Sequence, residues 1–205
     1  IDRVEAQYLL IKELFDPQDI IWLGEIHDSG SQYHEANFMT CKQWFEESLL
    51  PTRGAAGIFK TGSYSRSKSN VISSPYIVVE SDDLIGKEPI SNEEKERNKT
   101  LTYALVCYLE QELGLILRAI LDTGNKSLHC WFDRPPDDQF EALVTMSEAF
   151  RIDKGLLQKC SAAPLRMPKG VHPKSNQPPR LLYLKGHASL METSPPNKLN
   201  HNEPF

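Results

Sequence analysis

No stretch of this sequence is apolar for long enough to cross a membrane. The longest unbroken apolar run is Tyr103–Leu109, seven residues, against the roughly 20 that a spanning helix needs. Cysteine is sparse: four residues, at positions 41, 107, 130 and 160, with no pair at metal-ligand spacing. A zinc cluster built from them is not expected. Cys107 and Cys130 lie among apolar neighbours and read as small hydrophobes, so the expected setting is reducing and intracellular. No signal peptide is expected in the first residues, because the start from Ile1 reads as an amphipathic helix. A start without Met reads as a piece of something longer. Trp is limited to three residues, yet 40% of the 205 residues are hydrophobic and 25% charged. That is enough to bury a core, in one domain or one domain with an appended lobe.

Acidic residues are missing from two long stretches. The net charge of −5 and the pI of about 5.7 argue on average against nucleic-acid binding. The average conceals a segregation. Between Glu47 and Glu80 there is no acid, while Arg53, Lys60, Arg66 and Lys68 are basic. Between Asp153 and Glu192 there is again none, while Lys154, Lys159, Arg166, Lys169, Lys174, Arg180 and Lys185 are basic. Such segregation can build a basic groove on an acidic protein, suited to a polyanion. It is equally the pattern of two solvated loops.

The periodicity predicts a helix over 2–15, with Val4, Tyr8, Ile11 and Phe15 on one face, stopped by Asp16-Pro17. Residues 20–24 read as a short buried strand, 27–33 as a polar loop, 34–49 as a helix and 51–70 as a Gly/Ser-rich basic loop. Tyr76–Val79 is a strand candidate that runs into Glu80-Ser81-Asp82-Asp83. Residues 92–113 form the longest helix candidate, with Leu101, Leu105, Tyr108 and Leu109 on one face. Segments 115–121 and 127–132 read as a hairpin about the turn Asp122-Thr123-Gly124-Asn125. Helices follow at 137–150 and from Asp153 to Cys160, then a Pro-rich basic loop over 164–179 and a strand at 181–184. The Pro-rich tail reads as a linker. The mixed order with a hairpin predicts an α+β fold, not a doubly wound parallel sheet.

Glu80 and Asp82 stand two apart at the end of an apolar strand, so they point to one face. Two carboxylates held together repel unless a cation lies between them, and a divalent ion with oxygen ligands meets that need. The alternative is a solvated turn. In Lys126-Ser127-Leu128-His129, Ser127 and His129 share a face. A hydroxyl, an imidazole and an ammonium beside a Gly-containing turn can hold a phosphate chain; the alternative is a half-exposed strand with a surface His. Asp153 is either a helix N-cap or a third carboxylate. Arg166, and Ser65 with Arg66 after Gly62, are candidate phosphate contacts or plain surface residues.

In this order (acid pair after a strand, Ser-x-His on a strand, a lone acid, then Arg166-x-Pro168) the sequence resembles the archaeo-eukaryotic primase superfamily. It is most similar to the primase-polymerase domains of plasmids, phages and other mobile elements. The resemblance covers about residues 51–185. It departs from many members in having Glu80 where the metal motif begins with Asp. The resemblance implies an α+β, two-lobed fold: an RNA-recognition-like sheet with an N-terminal α/β lobe and the active site in the cleft between them. It implies one catalytic domain over 1–190, with 1–70 as the N-terminal lobe and 71–190 as the metal- and nucleotide-binding core, followed by a linker-like tail at 191–205. The implied chemistry is nucleotidyl transfer, with Glu80, Asp82 and Asp153 holding two Mg2+ or Mn2+ ions. Lys126, Ser127, His129 and Arg166, with Ser65 and Arg66, would bind the NTP or dNTP triphosphate. The implied partners are single-stranded DNA template and primer, and a helicase, in the cytoplasm of a bacterial or phage-infected cell. Two other classes stay open: a non-catalytic replication-initiation or nucleic-acid-binding module, and a metal-dependent phosphodiesterase or nuclease.

Overall fold

A computed structural model describes residues 2–26 and 35–187. The loop expected at 27–33 and the tail expected at 191–205 lie outside the described residues. Helices α1 (Arg3–Leu14), α2 (Cys41–Trp44), α3 (Asn92–Leu113), α4 (Asp137–Met146) and α5 (Lys154–Lys159) are interspersed with ten strands. The strands are β1 (Ile20–Gly24), β2 (Phe38–Thr40), β3 (Arg53–Gly54), β4 (Ile58–Phe59), β5 (Val71–Ser73), β6 (Tyr76–Val79), β7 (Leu117–Asp122), β8 (Leu128–Asp133), β9 (Leu165–Arg166) and β10 (Arg180–Leu184). They form a four-stranded sheet in the order β2-β1-β3-β9, another in the order β10-β7-β8-β6, and a separate β4-β5 pair. Every pairing is antiparallel, as the α+β expectation required. No helix among the described residues is long and apolar enough to cross a membrane.

The β10-β7-β8-β6 sheet is apolar on both faces, and alternation sorts its side chains between two cores. Tyr76, Val78, Ala119, Leu121, Trp131, Leu181 and Leu184 pack with α1, β1, Trp44 and Met167. Ile77, Val79, Ile120, Leu128, Cys130 and Phe132 face the other way, onto Leu105, Val106 and Leu109 of α3, Leu143 of α4 and Leu157 of α5. The near-continuous apolar runs of β6 and β8 follow from burial on both sides. Helix α3 is closed at its start by a capping box, Ser91 with Glu94, and at its end by Gly114 in the left-handed region at φ 62°.

Several sequence expectations need correction. Residues 34–49 are not one helix: Phe38–Thr40 pairs with β1, and only Cys41–Trp44 is α-helical, behind a Thr40–Gln43 capping box. The apparent spacing of Phe38, Cys41, Phe45 and Leu49 marks no buried stripe, since Leu49 is 66% exposed. The loop expected at 51–70 contains β3 and β4, and that at 164–179 contains β9. Short strands of this kind are set by their partners, which the sequence does not display. The buried faces of two helices are rotated from those expected. α1 buries Ala6, Gln7, Leu10, Ile11 and Leu14, leaving Val4 exposed. α3 buries Asn98, Thr102, Leu105, Val106 and Leu109, leaving Leu101 and Tyr108 exposed. Cys107 is exposed, not a core residue; Cys41, Cys130 and Cys160 are buried, and all four are free thiols.

Candidate active site

The site lies at one end of the β6-β8 pair. The register Val79↔Cys130 carries on so that Glu80, just past β6, meets His129. Parity puts Glu80, Ser127 and His129 on the face that also bears Val78 and Trp131. Ser127 Oγ donates to Glu80 Oε1 at 2.5 Å, and His129 Nε2 lies 3.4 Å from the same oxygen. Residues 47 apart in sequence thus meet around one carboxylate. Ser127 is 3% exposed and His129 6%, so the half-exposed strand with a surface His is not what forms. Burial pushes the Glu80 carboxyl up, but the charge and hydrogen bond of His129, the Ser127 hydroxyl and the nearby Arg166 outweigh it, and the group lies below its ordinary range. His129 Nδ1 is buried and has no hydrogen-bond partner.

Asp82 behaves oppositely. Burial and the Glu80 charge raise it, against the Lys126 ammonium and the Ser127 hydroxyl. Its Oδ2 lies 3.2 Å from Lys126 Nζ, which also reaches Glu88 at 3.3 Å. The Glu80 charge thus reaches Asp82, although both acids lie past the end of β6. Asp83 turns away and pairs with Arg151 at 2.9 Å.

Ser81, between the two acids, is fully buried. Its carbonyl and that of Lys126 both accept from Asn98 Nδ2, at 3.0 and 2.9 Å. One buried amide of α3 thus ties the acid loop to the Lys-Ser-x-His strand. Nothing in the sequence marks Asn98, a polar residue in a charged helix turn. The β7-β8 turn is fixed in the same way: Gly124 N–H donates to Asp122 Oδ1 at 2.8 Å and Thr123 Oγ1 donates to the Ser127 carbonyl at 2.9 Å.

Asp153 is beside the site through its backbone, its N–H donating to the Glu80 carbonyl at 2.8 Å. Its carboxylate caps α5, accepting from Leu156 N–H at 2.9 Å. Among the described residues no three His, Cys, Asp or Glu side chains come together as a metal cage. The donor set still fits a hard cation: two adjacent carboxylates in mutual repulsion suit Mg2+, which takes one or two carboxylates and completes its shell with water and substrate phosphate.

Arg166 sits in β9 directly opposite Arg53 of β3. Burial and Arg53 pull its pKa down to about 10, with Glu80 acting in the opposite sense. Arg66 donates to the Ala162 carbonyl at 2.9 Å and stacks 4.4 Å from the Trp22 ring centroid. Ser65 belongs to a turn closed by Asn70, whose Nδ2 reaches the Ser65 carbonyl at 3.0 Å. Those contacts tie Arg66 to β1 and to the segment after α5, and Ser65 to the turn before β5. Arg53 was visible in sequence only as one base in an acid-free stretch.

The fold is similar to that of an archaeo-eukaryotic primase domain. The solved structure that carries this likeness is the archaeo-eukaryotic primase domain of the cyanophage S-2L primase-polymerase, at a TM-score of 0.50 and 16% identity over 89% of this chain and 91% of that chain. No protein-family model matches the sequence, and no curated protein does.

Proposed function

We propose that this chain is a primase-polymerase catalytic domain that carries out template-directed nucleotidyl transfer to a 3′-hydroxyl during replication of a phage, plasmid or other mobile element. The observation that supports this most is the convergence of Glu80, Ser127 and His129 beside the Asp82–Lys126 pair. The chain similarity to a phage primase-polymerase domain concerns the fold and agrees with this reading.

In this reading Glu80 and Asp82 would hold Mg2+ or Mn2+, with Asp153, which caps α5 here, as the third carboxylate of a two-ion set. Bound, the ions supply activation of the attacking hydroxyl and neutralisation of charge on the departing pyrophosphate. Lys126 and Ser127 are donors for the triphosphate of an NTP or dNTP, and Arg166 assists. His129, with Nε2 facing Glu80 and a buried, unpartnered Nδ1, is in this reading a further ligand of the same triphosphate. Ser65 and Arg66, with the basic segments around them, face template or triphosphate. The functional unit is residues 1–190, with β1, β2 and β3 in the N-terminal lobe of residues 1–70 and β9 adding to their sheet from the 71–190 core. Single-stranded DNA template, a primer and a helicase are its partners, in the cytoplasm.

A second reading, a non-catalytic nucleic-acid-binding module, is favoured by one observation: Asp153 is engaged as a helix cap. Incubation with Mg2+ or Mn2+, labelled ribo- and deoxyribonucleotides, and primed or unprimed single-stranded template separates them. Template-dependent extension that Asp82→Ala abolishes is the expected outcome. Tight DNA binding without incorporation selects the second reading, and metal-dependent shortening of an end-labelled oligonucleotide without added nucleotide selects a nuclease.

A further inference from the structure

The β10-β7-β8-β6 sheet has a second polar centre, on the face turned away from Glu80. Asp122, the last residue of β7, stands directly opposite Leu128 of β8. Cross-strand partners share a face, and Leu128 packs in the core that α3 covers. Asp122 therefore points to the α3 side, whereas Ser127, one residue before Leu128, points with His129 to the other. Asp122 is 3% exposed. One cation suffices to neutralise a buried carboxylate, and this one holds two. Lys99 Nζ of α3 and Arg180 Nη2 of β10 both lie 3.1 Å from its Oδ2.

Around this centre opens a cavity of about 510 Å3, within the size of small-molecule sites, about 300–1,000 Å3. Its polar lining is of two kinds. The first is cationic: Lys95, one turn before Lys99 on the same face of α3, joins Lys99 and Arg180. Lys95 forms no ion pair among the described residues. The acids of the lining are Asp122 and Glu96, and Lys99 bridges both, at 3.1 and 2.9 Å. Three cations against two acids leave a positive surplus. Lys99 and Arg180 are fixed by Asp122 before any ligand arrives, which lowers the cost of ordering them on binding. The second kind is amide: Asn92 at the start of α3, Asn125 in the β7-β8 turn and Gln177 in the loop before β10. Each offers a donor and an acceptor side by side, the pattern that pairs with a nucleobase edge. The cavity is closed where the turn meets that loop. Ser175 Oγ donates to the Gly124 carbonyl, and a Cβ on Gly124 would lie 2.6 Å from the Gln177 carbonyl oxygen. A pocket blocked on one side suits a single small ligand better than a strand running through it.

We propose that this cavity binds a mononucleotide at a site separate from the Glu80 site, with its phosphate monoester on Lys95, Lys99 and Arg180 and its base against the amides of Asn92, Asn125 and Gln177. The donors for the phosphate are at hand. Lys99 gives one proton to Asp122 and one to Glu96 and keeps a third, and Arg180 gives Asp122 one of its five. Hydrogen bonds from ionised donors to phosphate are among the strong ones. The inference stands on the cavity and is independent of the nucleotidyl-transfer reading.

The test is calorimetric titration of the whole chain with AMP, GMP, CMP and UMP in EDTA, so that no divalent ion draws nucleotide to the Glu80 site. Ribose 5-phosphate probes the phosphate end alone. At least one mononucleotide is expected to bind, at least tenfold tighter than ribose 5-phosphate, with a tenfold or greater loss in Lys95→Gln and in Arg180→Gln. Gln177→Ala is expected to lower the mononucleotide affinity and leave that for ribose 5-phosphate unchanged. Lys95 has no ion-pair partner to abandon, so Lys95→Gln carries the test if Arg180→Gln fails to fold. Ser127→Ala is expected to bind the mononucleotide as wild type does. No binding by wild type, equal affinity in wild type and Lys95→Gln, equal affinity for mononucleotide and ribose 5-phosphate, or a loss in Ser127→Ala overturns the proposal. Oligo(dT) binding that Lys95→Gln weakens, with no mononucleotide bound, assigns the surface to a strand and overturns it too. Absence of template-dependent extension sinks the nucleotidyl-transfer reading and leaves this site untouched.

Discussion

Asn98→Ala removes a buried amide that joins the backbones of the two halves of the site. Asn98 Nδ2 donates to the Ser81 and Lys126 carbonyls at 3.0 and 2.9 Å, and the residue is fully buried. Each lost hydrogen bond costs about 1 kcal/mol net, and a buried acceptor left alone costs about 1–3 kcal/mol. Asn98 Oδ1 has no partner of its own, so its removal returns part of that. The balance is a destabilisation of about 2–3 kcal/mol. In a domain of 205 residues that corresponds to a fall in Tm of roughly 4–12 °C. The loss of activity is expected to exceed the loss of fold. At a temperature where the variant is still fully folded by circular dichroism, nucleotide incorporation should drop at least about tenfold, because Glu80-Ser81-Asp82 and Lys126-Ser127 are no longer held in one register. Thr102→Ala is the control: Thr102 Oγ1 donates only within its own helix, to the Asn98 carbonyl at 2.9 Å. A Tm within 1–2 °C of wild type together with unchanged incorporation would refute the claim that Asn98 positions the site.

Other outcomes follow from the same geometry. Asp82→Ala should lower template-dependent extension at least about 100-fold, a change of about 2.7 kcal/mol in the barrier, while Tm moves little because Asp82 is exposed. His172 has its folded-state pKa pushed down to about 4 by burial and by Arg166, Arg53, Lys174 and Lys95. The unfolded chain therefore takes up a proton that the folded chain refuses, and this contribution to stability is lost as pH falls from about 6.5 toward 4. Thermal melts over that range should show the loss, and His172→Gln should flatten it. Gly124 has φ 82°, and a Cβ there would lie 2.6 Å from the Gln177 carbonyl oxygen. Gly124→Ala should destabilise by about 2 kcal/mol or more, which denaturant unfolding would read as a lower midpoint with an unchanged slope.

The strands that carry the chemistry were legible because burial on both faces leaves a strong mark. Tyr76–Val79 was read at its observed limits, and the hairpin was found within two residues of them. One helix cap was legible because capping is local, and Asp153 does cap α5. The 34–49 segment was misread because Phe38-Met39-Thr40 takes strand form only through its pairing with β1. Helix faces were misplaced by one position, since α1 and α3 are apolar over more than one stripe and the sheet beneath chooses among them. Asn98 and Thr102 sit on the buried stripe of α3 because backbone carbonyls there need a donor.

By itself the sequence determined the α+β class, the central strands, the place of Glu80 at the end of β6 and the shared face of Ser127 with His129, because period-two alternation is a property of the chain alone. Only the tertiary structure decided that the Ser127–His129 face meets the Glu80 carboxylate. It alone set Arg53 against Arg166 and placed Asn98 under both loops. Those meetings depend on strand register and on which sheet edge a loop crosses, quantities fixed by packing between residues far apart in sequence.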